Sequence, residues 1–453
     1  MQTNPPDLPE HLLTLIAGLR TRLRDPHFLA RHRVRPQDFT RQCSLTFPRL
    51  LLFVLQQTVK SIQRHLHEFL ADLAQGELFE PVPAGAVTHA RAKLKDSAFV
   101  ELNQECILPA IYGPEHPVQR WHGHRLLGVD SSLVRLPDSA ELGQTFGWKG
   151  VTNQHGDTGT RYPEARLSVV YDLLNRVGLD ARLEPSTLGE VALAGQQQAA
   201  AALQPGDVAI TDRGFTGYGY LATVAQAGRH FIARCSTGSF LAAQALFRRD
   251  QADQSQEVWL FAPPEHKAEC EQLGLPLKLR VRLVSLRLAS GELEVLATSL
   301  LDEGRYPTAE FLTVYHWRWG HETFYLMLKG RLELENFSGR TVAAIRQDVQ
   351  AAVLLANLES VLSAPAQAVL DQSRGPETQA RQVNRANAYH ALKDHVLDLL
   401  YGELPVSRVL HQLLKLFQGS PVAVRPHRKV PPRRKLSFHR SYHFQRRVKK
   451  VVF

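Results

Sequence analysis

Apolar residues recur at helical spacing through the first hundred positions. Leu50, Leu51, Val54, Leu55, Val59 and Ile62, followed by Leu66, Phe69 and Leu70, draw apolar stripes of the kind a buried helix face carries. Residues 1–115 are therefore predicted to form a helical N-terminal domain. From about residue 120 the pattern changes to short β-type runs. Leu126, Leu127 and Val129 lead into Asp130 within a strand predicted over 124–134, and Leu167, Val169, Val170 and Tyr171 mark a second over 165–173. A third, over 177–183, follows through a hairpin at Asn175. An Ala/Gln/Leu-rich stretch predicts a helix over 190–203, then a strand over 207–211, a helix over 218–227 and a strand over 231–235.

Three hairpin-type strands, a helix, a strand, a helix and a strand make a mixed α/β layer in the order of an RNase H-like core. Residues 236–300 are again strand-like in places, over 258–261, 277–286 and 293–298, and read as a β-rich insertion. A long helix is predicted over 306–331, opened by Pro307 and Thr308 with Glu310 in its first turn. Another is predicted over 342–362, and residues 365–389, with Pro365 and Pro376, read as a loop or linker. The fold class expected is thus an RNase H-like mixed-sheet core with a β-rich insertion, over 116–362. A helical domain precedes it, and a helical region with a basic tail follows over 363–453.

The chain has 453 residues, 44% hydrophobic and 22% charged, which suits a globular protein of more than one domain. No apolar run approaches the ~20 residues of a bilayer span, and the start, with Pro5, Pro6 and Asp7, lacks a secretory apolar segment. A cytoplasmic protein with no membrane partner is expected. Cys43, Cys106, Cys235 and Cys270 are scattered without a C-x-x-C pair, which argues for reduced thiols over a disulfide framework or zinc ribbon.

The net charge of +10 is unevenly spread, with no acidic residue after Glu403 and a tail crowded with Arg428, Lys429, Arg433, Arg434, Lys435, Arg446 and Arg447. Such a tail is either a solvated extension or an arm for phosphates, where counterion release would favour binding. Arg20, Arg22, Arg24, Arg31, Arg33 and Arg35 make the N-terminal region basic as well. Thr88, His89, Arg91, Lys93 and Lys95 fall on a short predicted helix after a Pro/Gly turn. That helix suits either a helix-turn-helix-like DNA contact or the solvated face of a plain bundle.

Asp130 follows Gly128-Val129 and Asp212 follows Ile210-Thr211, so both carboxylates are expected to project from strand ends. One aspartate at a strand end is usually a turn or cap residue. Two on adjacent strands, however, offer the oxygen ligands that a pair of hard divalent cations requires. On the helix after 306, Tyr315, Arg318, Glu322 and Lys329 follow at intervals of three, four and seven, which returns them to one face. A solvated face shows the same spacing. Trp317, Trp319, Phe324 and Tyr325 around this stripe suit a cleft that grips nucleic acid. His122-x-His124 is a further metal candidate, though such pairs are more often structural.

Tyr315-x2-Arg318-x3-Glu322-x6-Lys329 resembles the YREK signature of the bacterial insertion-sequence-4-type DDE transposases, with every spacing intact. The similarity of organisation runs from about residue 40 to 362, with its strongest motifs between about 125 and 340. The resemblance implies an RNase H-like catalytic domain in which Asp130, Asp212 and Glu322 are the catalytic residues and hold two Mg²⁺ ions, with Mn²⁺ as a substitute. It further implies metal-dependent cleavage and strand transfer of double-stranded DNA by a cut-and-paste reaction, by a homodimer on paired transposon ends. Tyr315, Arg318 and Lys329 would contact phosphates near the cleaved end, and Trp319 would stack on a displaced base. Where relatives that cut through a DNA hairpin carry another tryptophan, this chain has Glu294 and Val295; a hairpin route would need a substitute such as Trp259 in the insertion, which nothing in the sequence assigns, so the resemblance leaves hairpin cleavage open. Two other readings stay open: an RNase H-like nuclease that does not join strands, and a catalytically silent DNA-binding protein derived from a transposase.

Overall fold

The computed structural model describes residues 8–41, 43–56, 60–150, 161–373 and 379–424; Val59 and the basic tail from Arg425 lie outside the described residues. Two compact units are present, each built from separated stretches of chain. The first comprises residues 1–117, 135–164 and 327–453, and the second 118–134 and 165–326.

The first unit is a helical assembly. Leu12, Leu15, Ile16, Leu19 and Leu23 bury one face of the helix Glu10–Arg24, as their three-and-four spacing dictates. At its centre lies the helix Val342–Gln372, long and apolar enough by composition to cross a bilayer, although 61% of its most apolar window is buried within the protein. Its buried polar residues show that it is a core helix. Arg91 donates to Gln347 at 2.7 Å and to Asp348 at 2.8 Å, and Arg385 pairs with Glu359. Charges removed from water are tolerated there because each has a partner.

Two expectations change in this unit. Arg91, 3% exposed, belongs to the core and not to a DNA-facing helix. The helix Ala84–Arg91 is also separated from Ile62–Ala74 by the nine residues 75–83, too long a join for a tight helix-turn-helix. The first part of the loop expected at 365–389 is helix as far as Gln372, because Val361, Leu362 and Ala366 are buried and their packing outweighs the ~3 kcal/mol cost of Pro365; residues 379–384 are not helical, and Pro376 lies outside the described residues. The next helix begins at Arg385.

The second unit is organised by a nine-stranded sheet whose strands are β1 (Leu126–Arg135), β2 (Trp148–Lys149), β3 (Tyr162–Asp172), β4 (Val177–Pro185), β5 (Val208–Thr211), β6 (His230–Arg234), β7 (Gln254–Phe261), β8 (Lys278–Arg287) and β9 (Leu293–Thr298). β1 and β3 run on into the first unit, where β2 pairs with the start of β3. The order is β2-β3-β1-β5-β6-β9-β8-β7, with β4 also paired to β3. β3 and β4 are antiparallel, as are β1 and β3, whose hydrogen bonds Leu173 N to Leu126 O and Leu136 N to Pro163 O run in opposite senses. β5 and β6 lie parallel to β1 and to each other. Three antiparallel strands followed by two parallel ones, in the order β4-β3-β1-β5-β6, are the RNase H-like arrangement expected from the sequence. The insertion extends this same sheet, since β9 pairs antiparallel with β6 and carries β8 and β7 beyond it.

A buried ion pair sets the register of the two central parallel strands. Arg125, immediately before β1, donates from Nε and Nη2 to the Asp207 carboxylate, immediately before β5, at 2.7 and 2.6 Å. Asp207 also accepts from Gln204 N at 2.7 Å, and Arg125 donates to Ala202 O at 2.9 Å, so both charges are held by further bonds. The two residues are 1% and 3% exposed. The Arg125→Ala protein should lose about 3–5 kcal/mol of stability by urea unfolding, because it strands a buried carboxylate. Replacing both residues, as Arg125→Met with Asp207→Leu, should recover most of that loss.

Candidate active site

From the Arg125 and Asp207 lock, β1 and β5 run in step, with Leu126 opposite Val208 and Gly128 opposite Ile210. Two residues farther along each chain stand Asp130 and Asp212. Residues two apart on a strand share a face, so Asp130 shares the face of Gly128, while Asp212 follows Thr211, the last residue of the neighbouring strand. Asp130 lies within β1, not at its end as expected, because β1 continues against β3 after its pairing with β5 has stopped. Asp212 does end its strand. Its carboxylate accepts from Gly214 N at 2.9 Å and caps the short turn Arg213–Phe215.

The helix expected over 306–331 is broken. Glu310–His316 is one helix and Trp319–Leu326 the next, joined by tighter bonds from Gly320 N to Trp317 O and His321 N to Arg318 O. Met327–Arg331 is a π-helical turn. The break leaves Arg318 and Glu322 linked, with Arg318 Nη2 2.6 Å from Glu322 Oε1. Arg318 Nη1 lies 3.7 Å from Asp130 Oδ2. One guanidinium, 9% exposed, thus stands between two of the three expected catalytic carboxylates.

Aromatic packing brings this helix to the sheet. Phe324 and Tyr325, expected to line a nucleic-acid cleft, are 3% and 6% exposed and belong to the core. The Phe324 ring stacks on Tyr171 at 4.4 Å, and the Tyr325 hydroxyl donates to Asp130 O and accepts from Val169 N, each at 2.9 Å. His321 is buried and stacked against Tyr325 at 4.9 Å, with neither ring nitrogen hydrogen-bonded. Burial, with the Arg318 charge nearby, lowers its pKa to about 3, so it packs as a neutral ring. Gly128 makes the approach possible, since a Cβ there would lie 2.9 Å from His321 Nδ1 and from Leu173 Cδ2.

The other sequence candidates fall as follows. Tyr315 is buried, its ring flanked by the guanidinium carbons of Arg318 at 5.7 Å and Arg234 at 6.0 Å. Burial pushes its hydroxyl up to about 12. Trp319 is 55% exposed, with Arg318 over its ring at 5.8 Å. Lys329 belongs to the first unit, where Nζ lies 3.5 Å from Glu335 Oε1. His122 and His124 are structural, bonded to Glu310 at 2.8 Å and to Gly206 O and Tyr306 at 2.6 and 2.8 Å. Glu294 is buried on β9 and pairs with Arg234 at 3.1 Å, while Trp259 is 52% exposed on β7 beneath Lys278.

Sequence reasoning missed Glu190. Its carboxylate accepts from Ser131 N at 2.7 Å and Ser131 Oγ at 2.6 Å, and the same N–H also donates to Asp130 Oδ1 at 2.8 Å. The only signal was its place in a helical first turn. Burial, then the neighbouring Glu190 carboxylate, push Asp130 up to about 7 against the opposing pull of Ser131 N–H and Arg318. Among the described residues, no three His, Cys, Asp or Glu side chains are gathered closely enough to hold one metal ion.

The sequence of residues 121–358 matches the family described as Transposase DDE domain, a match that spans more than half of the 453 residues. The chain belongs to the DDE-domain transposases. No curated protein matches it. Among solved structures, it is similar to the piggyBac transposase synaptic complex with hairpin DNA at 10% identity and a TM-score of 0.43, over 88% of this chain and 84% of that one. The family match encloses Asp130, Asp212 and Glu322 along with Arg318, Trp319 and Lys329.

A carboxyl group whose folded value exceeds the ordinary 3.8 binds more protons folded than unfolded between those two values. With divalent ions chelated, this transposase should therefore lose stability as pH rises from about 4 to about 7. Asp130→Asn removes that contribution. Its melting temperature should exceed that of the unaltered protein at pH 8 and converge with it near pH 4; parallel pH profiles would contradict the assignment.

Proposed function

We propose that this transposase cuts and joins the DNA ends of an insertion sequence by a cut-and-paste reaction, with Asp130, Asp212 and Glu322 as the ligands of two divalent cations. The observation that carries the reading is the parallel pairing of β1 with β5, which runs to Gly128 opposite Ile210, two residues before Asp130 and Asp212, with Glu322 tied to Asp130 through Arg318. The donor set is all carboxylate oxygen, which fits Mg²⁺ or Mn²⁺. The site already attracts positive charge, since Arg318 is drawn between two of its acids. When bound, such ions activate the attacking oxygen and stabilise the leaving oxygen of an in-line displacement at phosphorus.

In this reading the protein's own groups do the positioning. Tyr325 and the Gly128 contact hold the Glu322 helix to β1. Arg318 would offer a planar bidentate donor to a DNA phosphate, and Trp319 an exposed ring to an unstacked base. Lys329 supplies a further positive charge for the same DNA, and Tyr315 orients Arg318 across its ring face. Double-stranded DNA is the partner, bound by a homodimer on paired ends.

Glu322→Gln and Asp212→Asn should each reduce Mg²⁺-dependent cleavage and joining of the element's inverted repeats by about 10³-fold or more, while end binding by gel shift changes little. Cleavage that survives either substitution would remove these residues from the mechanism. Nicked product without joined strands, from the unaltered protein, would favour a nuclease.

A further inference from the structure

We infer that Glu190 is a positioning residue of the catalytic centre, which holds the Asp130 carboxylate in place through Ser131; this rests on the proposed metal-dependent reaction. The helix Glu190–Gln197 begins at Gly189, whose lack of a side chain leaves no side-chain cap at that end. A glutamate in a first turn ordinarily sits favourably near the free N–H groups of its own helix. Glu190 turns to β1 instead. Its Oε1 takes both the N–H and the hydroxyl of Ser131, at 2.7 and 2.6 Å, and the same N–H also bonds Asp130 Oδ1 at 2.8 Å. One backbone donor therefore fixes the directions of two carboxylates.

The arrangement is braced from both sides. Arg166 donates to Ser131 Oγ at 2.8 Å and to Leu188 O at 2.9 Å, which ties the chain just before Glu190 to β3. Two turns along the same helix, the buried Gln197 accepts from Ser168 Oγ at 2.7 Å, and that hydroxyl lies 3.3 Å from Asp130 O. The helix is thereby held against the backbone of Asp130 at both ends. A solvated first-turn charge would not account for a carboxylate that takes both Ser131 donors, one of them shared with Asp130, and bonds that orient a ligand's carboxyl group govern how tightly a site holds its metal.

The test is Mn²⁺ binding to the full-length protein without DNA, followed by the paramagnetic resonance of free ion, with melting temperature and end binding measured in parallel. Glu190→Ala should weaken Mn²⁺ binding about 10-fold or more, at near-unchanged melting temperature and end binding. Glu190→Gln keeps an acceptor for Ser131 and should restore most of the affinity. Unaltered Mn²⁺ binding by Glu190→Ala, or a Glu190→Gln protein as weak as Glu190→Ala, would overturn the positioning role. Asp212→Asn and Glu322→Gln separate this outcome from failure of the wider reading. If they too leave Mn²⁺ binding unchanged, the metal centre itself falls; if they weaken it while Glu190→Ala does not, only the role of Glu190 falls.

Discussion

The proposed chemistry depends on the register of two parallel strands. A one-residue slip of β5 against β1 would send Asp212 to the opposite face from Asp130, since strand side chains alternate. Apolar burial alone constrains that register weakly here, because Leu126, Leu127, Val208, Ala209 and Ile210 are buried whichever way they face. Parallel strands covered on both faces lack the alternation that usually fixes alignment. Arg125 and Asp207 supply the missing specificity. Their forked bonds are satisfied in one alignment only, and the cost of leaving either charge unpaired in the core excludes the neighbouring ones.

On that foundation the second unit brings a helix to the sheet with neutral groups and leaves the charges where they meet. The rings of Tyr171, Phe324, Tyr325 and His321 fill the interface, and the Tyr325 hydroxyl turns it into a fixed distance by bonding the backbone at Asp130 and Val169. Burial first, and the neighbouring Glu190 charge second, raise the proton affinity of Asp130. Arg318 offsets part of that rise. One internal cation thus stands between Asp130 and Glu322.

Much of this was legible in the sequence, for physical reasons that differ by residue. Asp130 and Asp212 stood out because apolar runs led into them, and a run of buried strand residues fixes its own position. Glu322 and Arg318 were legible through a spacing that survives the break in their helix, since four residues apart they still meet. The break itself was hidden: the turn around Trp317 and Arg318 contains no proline, and Gly320 alone does not forbid a helix. Arg91 was misread because a positive charge on a short helix looks solvent-facing until Asp348, more than two hundred residues away, is seen beside it. Glu190 escaped for the opposite reason, since its own stretch of sequence suggests only a helix start. The insertion was legible as strands, but its continuation of the same sheet depends on the pairing of β9 with β6, which no local pattern encodes.

Gly128 has a consequence beyond packing. With only a hydrogen there, the strand and the helix meet at the shortest separation two backbones and an imidazole allow. That separation acts as a spacer gauge for the reactive face two residues away. A single methyl group at 128 would have to displace Leu173 or His321, and with His321 the helix that carries Glu322, so the distance of that acid from β1 is set partly by a residue that carries no charge of its own.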